Sequence, residues 1–223
     1  MNIKKFSEQS VLEAVDIIKQ GGVVICPTDT NYVVMTNVQS SEGVNRIYSM
    51  KKRDGKKPLT LLLGKIEEIN EYAFSTKQVD SLVKSFWPGP LTVILRKKEI
   101  VPDFVTCSFE TVALTLFKNE VLSEITKKLD APVAATSANL SGTGIVPGVD
   151  KAIDHLGEFV DLIIDNGVSS INGSNTIIDF TFLKPIVARK GAISEEEVIK
   201  FIPELNCNVE EYSRMLQERI NLS

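Results

Sequence analysis

The chain has 223 residues, of which 43% are hydrophobic and 24% charged, and its formal net charge is -4. That is enough for one sizeable domain and is the composition of a folded globular protein, not of a disordered one. No run approaches the roughly 20 apolar residues of a membrane span, and the start, Met1-Asn2-Ile3-Lys4-Lys5-Phe6, lacks the apolar core of a signal peptide; a cytoplasmic protein without membrane contact is expected.

In chain order, Val11 to Gln20 carries a broad apolar stripe at helical spacing, with Ser10 and Glu13 at capping-box spacing. Val23 to Cys26 reads as a buried strand stopped by Pro27, with extended structure resuming at Tyr32 to Met35. Helices are expected at 41–50, 65–72, 75–86, 120–129 and 149–156. Strands are expected at 59–63, 91–95, 111–116, 132–135 and 160–164, with a loop at 97–110. Thr176 to Phe180 and Ile186 to Ala188 look like a strand pair. Ser194 and Glu197 cap a further helix, and a weakly helical tail follows Pro203. Strands and helices interleave irregularly, which predicts an open, mixed α/β sheet flanked by helices, residues 1–202 forming the domain and 203–223 an appended tail.

Cys26, Cys107 and Cys207 are widely spaced and form neither a disulfide framework nor a metal site. The lone histidine, His155, lies on a helical pattern and identifies no catalytic arrangement by itself.

Lys51-Lys52-Arg53-Asp54-Gly55-Lys56-Lys57-Pro58 is a cationic run held between a helix and a strand, which fits an anion site as well as ordinary solvated surface. Polar loops follow the buried strands at Pro27-Thr28-Asp29-Thr30 and Thr136-Ser137-Ala138-Asn139, where α/β folds place ligands. Hydroxyls, amides, Lys and Arg suit a polyanion and the charge developed in nucleotidyl transfer; no pair of carboxylates and no P-loop is presented.

These segments resemble, in order, the motifs of the YrdC-like family, the threonylcarbamoyl-adenylate synthases of tRNA modification. They are Pro27-Thr28-Asp29-Thr30-x-Tyr32, Lys51-x-Arg53 with Pro58-Leu59, Trp87-Pro88-Gly89-Pro90-Leu91-Thr92, Thr136-Ser137-Ala138-Asn139-x-Ser141-Gly142, Thr176-Ile177-Ile178-Asp179 and Arg189-x-Gly191. The resemblance implies a twisted mixed sheet around a basic central cavity. It implies an ATP-dependent nucleotidyltransferase that joins L-threonine, bicarbonate and ATP, with Mg²⁺ on the polyphosphate, into threonylcarbamoyl-adenylate for tRNA modification with partner proteins. Lys51 and Arg53 would be catalytic. Arg53, Lys57, Thr111, Ser137, Asn139 and Arg189 would meet the nucleotide, and Thr30, Tyr32, Thr115, Ala135 and Asn175 the amino acid; no residue is expected to ligate a metal. The sequence departs from the family at Val33-Val34-Met35 (where glycines are usual), at Thr115 (usually Arg) and at Asn175 (usually Ser); Lys57 or Lys118 is the substitute cation to look for. The alternative is a non-catalytic or reassigned relative that binds nucleotide or RNA in the same cavity.

Overall fold

Ser7, not Ser10, starts the first helix. The Ser7 side chain accepts from the Ser10 amide, the Ser10 hydroxyl oxygen accepts from the Ser7 amide, and Glu13 pairs with Lys4 instead of capping. The computed structural model describes residues 1–144, 146–171 and 173–222. Ser223, the end of the expected tail, lies outside the described residues.

The strands are β1 (Ile3–Lys5), β2 (Val24–Pro27), β3 (Tyr32–Asn37), β4 (Thr60–Leu62), β5 (Leu91–Arg96), β6 (Thr111–Thr115), β7 (Val133–Ser137), β8 (Leu162–Asp165), β9 (Thr176–Asp179) and β10 (Ile186–Arg189). The helices are α1 (Glu8–Lys19), α2 (Ser41–Lys51), α3 (Ile69–Tyr72), α4 (Lys77–Phe86), α5 (Asp103–Thr106), α6 (Glu120–Leu129), α7 (Val149–Leu156), α8 (Glu195–Ile199) and α9 (Val209–Leu222). Two elements escaped the sequence reading: β1, too short and polar for an alternation signal, and α5, a single turn inside the expected loop.

All strands form one sheet in the order β1-β8-β2-β3-β7-β4-β6-β5-β9-β10. Parallel pairs such as β4–β6 and β5–β9 sit beside antiparallel pairs such as β3–β7 and β5–β6, so the sheet is mixed, and its ends do not meet. Because side chains alternate across a strand, each central strand feeds two cores. On one face Ile25, Val34, Leu61, Val93 and Leu114 join Val44 and Ile47 of α2 and Val79 and Leu82 of α4. On the other, Val24, Cys26, Met35, Leu62 and Val133 pack under Val15 and Ile18 of α1 and Ile125 of α6. Helices α1 and α6 cover this second face only in part. Helix α9, capped by Asn208 through the Glu211 amide, packs against β10 at the far end. Between them the second face is open, and the site lies there. No helix among the described residues is long and apolar enough to cross a membrane.

Candidate functional site

A cavity of about 350 Å³ opens over β4, β5, β6, β7 and β9. Its walls are alternate residues of each strand: Thr60 and Leu62, Thr92 and Ile94, Thr111, Ala113 and Thr115, Ala135 and Ser137, Ile177 and Asp179. Register brings them together, with Thr92 opposite Thr115 and Thr60 opposite both Ala113 and Ala135. A wider cleft of about 1020 Å³ adjoins it and shares Lys56, Phe109, Thr111 and Arg219. The motifs read from the sequence converge on the smaller space, which is therefore the candidate site.

The basic run divides. Lys52 ends α2 in the left-handed region (φ 49°), which turns the chain back so that Arg53 reaches the cavity. The Arg53 Nε donates to the Lys57 carbonyl (2.9 Å) and its Nη2 to the Pro58 carbonyl (2.8 Å), which hold the loop around the guanidinium. Lys56, not Lys57, lines the cavity; Lys57 is exposed. Lys51 turns inward and is 1% exposed. Its ammonium donates to the Ser137 carbonyl (2.6 Å), the Asn139 side-chain Oδ1 (3.1 Å) and the Asn139 carbonyl. Burial, with Arg53 second, pulls its pKa down to about 7. Lys51 thus positions the loop after β7, and its protons are committed to that loop. The Ser137 hydroxyl donates to the Asn139 Oδ1, and Ser137 faces the cavity. Arg189 also lines it and donates through Nε to the Asn175 backbone carbonyl (3.0 Å), while Thr111 stands where the two spaces meet.

Beside Arg189 is a floor of uncharged side chains built around Asn175. The Asn175 Nδ2 donates to the Thr92 Oγ1 (3.1 Å) and the Thr115 Oγ1 (3.2 Å), and its Oδ1 accepts from the Thr30 hydroxyl (3.2 Å). The Thr115 hydroxyl donates to the Leu91 carbonyl (2.7 Å). Thr30 is positioned by the β2–β3 turn, where the Thr28 hydroxyl oxygen accepts from the amides of Thr30 and Asn31. Tyr32 is fully buried, and its hydroxyl donates to the Gly167 carbonyl (2.8 Å), beside Asp165; it braces β3 against the end of β8. Ala135 is on the cavity wall. Neither expected substitute cation lies on that wall: Lys118, like Lys57, is exposed, and its backbone amide serves Asp29.

Sequence reading missed several lining residues. Thr60 and Thr92 are hydroxyls at cavity-facing positions of apolar strands, a signal visible only once register is known. Asp179, 1% exposed, accepts from the Thr181 amide and hydroxyl, and burial pushes its carboxyl up. Tyr212, Leu216, Arg219 and Ile220 of α9 close the cavity from above. Tyr212, Leu216 and Ile220 recur every four residues, one face of a helix, so the segment expected to be an appended tail is part of the cavity wall. Arg219 lies 3.9 Å over the Phe182 ring and donates to the Thr181 hydroxyl and carbonyl.

A half-covered mixed sheet whose open face gathers Arg53, Arg189, threonine and serine hydroxyls and the Asn175 amide around one cavity defines an α/β protein with its candidate site on that face. The family model Sua5_yciO_yrdC, described as telomere recombination, matches residues 16–191, and the chain belongs to that family. It is 30% identical to the threonylcarbamoyl-AMP synthase of Pyrococcus abyssi over 95% of its own length and 62% of that protein's, so it spans less than two thirds of this relative. It is 29% identical to a putative threonylcarbamoyl-AMP synthase of Methanocaldococcus jannaschii, over 90% of this chain and 96% of that one. Among solved structures, P. abyssi Sua5 complexed with L-threonine superposes with a TM-score of 0.87 at 30% identity, covering 93% of this chain and 61% of that one. Escherichia coli YciO superposes at 0.79 with 25% identity, covering 90% and 97%.

Proposed function

We propose that the chain is an ATP-dependent nucleotidyltransferase that joins L-threonine, bicarbonate and ATP into threonylcarbamoyl-adenylate and pyrophosphate for tRNA modification. The observation that carries this reading is the convergence of Arg53, Ser137, Thr111 and Arg189 on one cavity, with the Ser137–Asn139 loop fixed from beneath by Lys51.

The chemistry asks little of side-chain nucleophiles. Bicarbonate carboxylates the amine, an N–C bond forming as a C–O bond of bicarbonate breaks and water leaves, and a carboxylate oxygen of the resulting carbamate attacks the α-phosphate, forming one P–O bond while the bond to pyrophosphate breaks. The enzyme has to hold two anions in line and stabilise charge on the transferring and leaving groups. Arg53 and Arg189 supply fixed donors for that purpose, and Ser137 a neutral one. Mg²⁺ would arrive on the polyphosphate, where it neutralises charge and organises the phosphates. Transfer to tRNA by partner proteins belongs to the same reading.

The second reading, a nucleotide- or RNA-binding relative without turnover, draws on the neutral surroundings of Thr115. Both readings require nucleotide at the arginines. Calorimetric titration of Mg²⁺-ATP into the full chain is expected to give binding that weakens at least tenfold, about 1.4 kcal/mol, in Arg53→Ala and is unchanged in Lys4→Ala. Equal affinity in all three proteins would remove the nucleotide from this cavity and end both readings.

A further inference from the structure

Among the described residues, Arg53 is held along one edge of its guanidinium. Nε–H and one Nη2–H lie side by side on that edge and go to the carbonyls of Lys57 (2.9 Å) and Pro58 (2.8 Å). The guanidinium is a planar fork of five donors, so Nη1 and the second Nη2 proton, the pair at its tip, stay open to a phosphate in the cavity that Arg53 lines. How firmly the tip is aimed depends on how firmly those two carbonyls are fixed. Lys57 belongs to an exposed stretch of loop, 54–57, that follows the left-handed Lys52. The far end of the loop is tied down where the Leu59 amide donates to the Val105 carbonyl of α5 (2.9 Å).

Tyr48 of α2 lines neither the cavity nor the wider cleft, yet it grips this loop at two points. Its backbone carbonyl accepts from the Arg53 amide (3.0 Å), and its hydroxyl donates to the Lys57 carbonyl (2.8 Å), the same oxygen that receives Arg53 Nε. The two donors fill both lone pairs of that oxygen. The Cys107 sulfur stands 3.0 Å from the Tyr48 hydroxyl oxygen. A phenol has one proton and a carbonyl can only accept, so the thiol is the donor of this pair and the hydroxyl is left pointing at Lys57. Burial raises the pKa of both groups, so both protons are kept near neutral pH. Cys107 and Ser108 have positive φ (53° and 64°), a costly conformation for residues other than glycine, and with the chain turned in this way the thiol meets α2. The half-buried Tyr48 ring packs on the first core, so its hydroxyl ties an exposed loop to the rigid part of the fold.

We infer that Tyr48 is a positioning residue: its hydroxyl fixes the Lys57 carbonyl and thereby aims the tip of Arg53 at the nucleotide phosphates. The inference rests on the proposed function for the presence of the nucleotide, and it adds to the binding machinery a residue that stands outside the cavity. In Tyr48→Phe the ring and its packing stay, and water takes the vacated place on the Lys57 carbonyl, so stability changes little. The guanidinium is then held by a carbonyl that has lost its own tether, and the alignment of its free edge suffers.

The test is a double-mutant cycle on the affinity for Mg²⁺-ATP, measured by calorimetry on the full chain as wild type, Tyr48→Phe, Arg53→Ala and both together. Tyr48→Phe is expected to weaken binding about fivefold when Arg53 is present and less than about 1.5-fold when it is alanine, with a melting temperature within about 3 °C of wild type. If Arg53→Ala binds too weakly to titrate, Arg53→Lys takes its place in the cycle, since lysine keeps the charge and lacks the fork. Unchanged affinity in Tyr48→Phe, or the same loss in both backgrounds, overturns the inference and leaves the proposed function standing. Absence of ATP binding by the wild type ends the proposed function and this inference with it.

Discussion

Lys51→Ala is expected to lower stability by about 3–5 kcal/mol and to weaken ATP binding at least tenfold. The substitution removes a long buried stem and strips donors from the Ser137 carbonyl, the Asn139 carbonyl and the Asn139 Oδ1, which have been desolvated around it. The loop that presents Ser137 to the cavity then loses its anchor. Denaturant midpoints measure the first effect and calorimetry the second, and a loss below 1 kcal/mol would make Lys51 a bystander. Lys51→Met separates volume from hydrogen bonding, since it refills the stem and leaves the oxygens unpaired. The pH dependence has a definite sign. The folded-state pKa is near 7 against 10.5 for the free side chain, so the unfolded chain binds the proton more tightly across that interval. The cost of the buried charge is fully present below pH 7 and fades as pH rises towards 10.5, so wild type gains on Lys51→Met over that window.

Gly191→Ala is expected to cost about 3 kcal/mol or more and to disturb the floor. A Cβ at Gly191 would stand 2.3 Å from the Ser174 carbonyl oxygen and the Thr176 amide nitrogen, and 2.4 Å from the Asn175 carbonyl carbon. These are backbone atoms, and no rotamer change relieves the overlap. The segment that moves is the one that aims the Asn175 side chain at Thr92 and Thr115, so ligand binding should fall along with the melting temperature. Gly55→Ala, where a Cβ would meet nothing within 4 Å, is the control and should be near neutral. A stable Gly191→Ala protein would mean that this close approach of backbone to backbone is not required.

Much of this arrangement is legible in the residues themselves. The β-branched runs at Val23 to Cys26 and Leu91 to Leu95 and the punctuation at Gly21-Gly22 and Pro27 lead directly to a mixed sheet. Ser137 and Arg189 are the last residues of β7 and β10, and Arg53 lies in the loop before β4, where an α/β fold exposes side chains to a ligand. Register is what the sequence conceals. Thr92, Thr115 and Asn175 are far apart in the chain and meet only because β5 pairs with both β6 and β9, so no local pattern shows that Asn175 bridges two threonines. Direction is concealed as well: Lys51 and Lys56 belong to one charged run, yet the helix end sends the first beneath a loop and leaves the second on the cavity wall. The wall formed by Tyr212 and Arg219 was hidden for a different reason. A polar, weakly amphipathic helix looks detachable until its buried Tyr212 is seen beside Asp179 and against Phe182.

The central claim is that this cavity turns over ATP. The direct measurement is pyrophosphate release by the purified chain supplied with Mg²⁺, ATP, bicarbonate and L-threonine, with the adenylate product identified by mass. Release that requires both bicarbonate and the amine, and that Arg53→Ala reduces at least tenfold, is the predicted result. ATP bound in the cavity with no release under any of these combinations would contradict it.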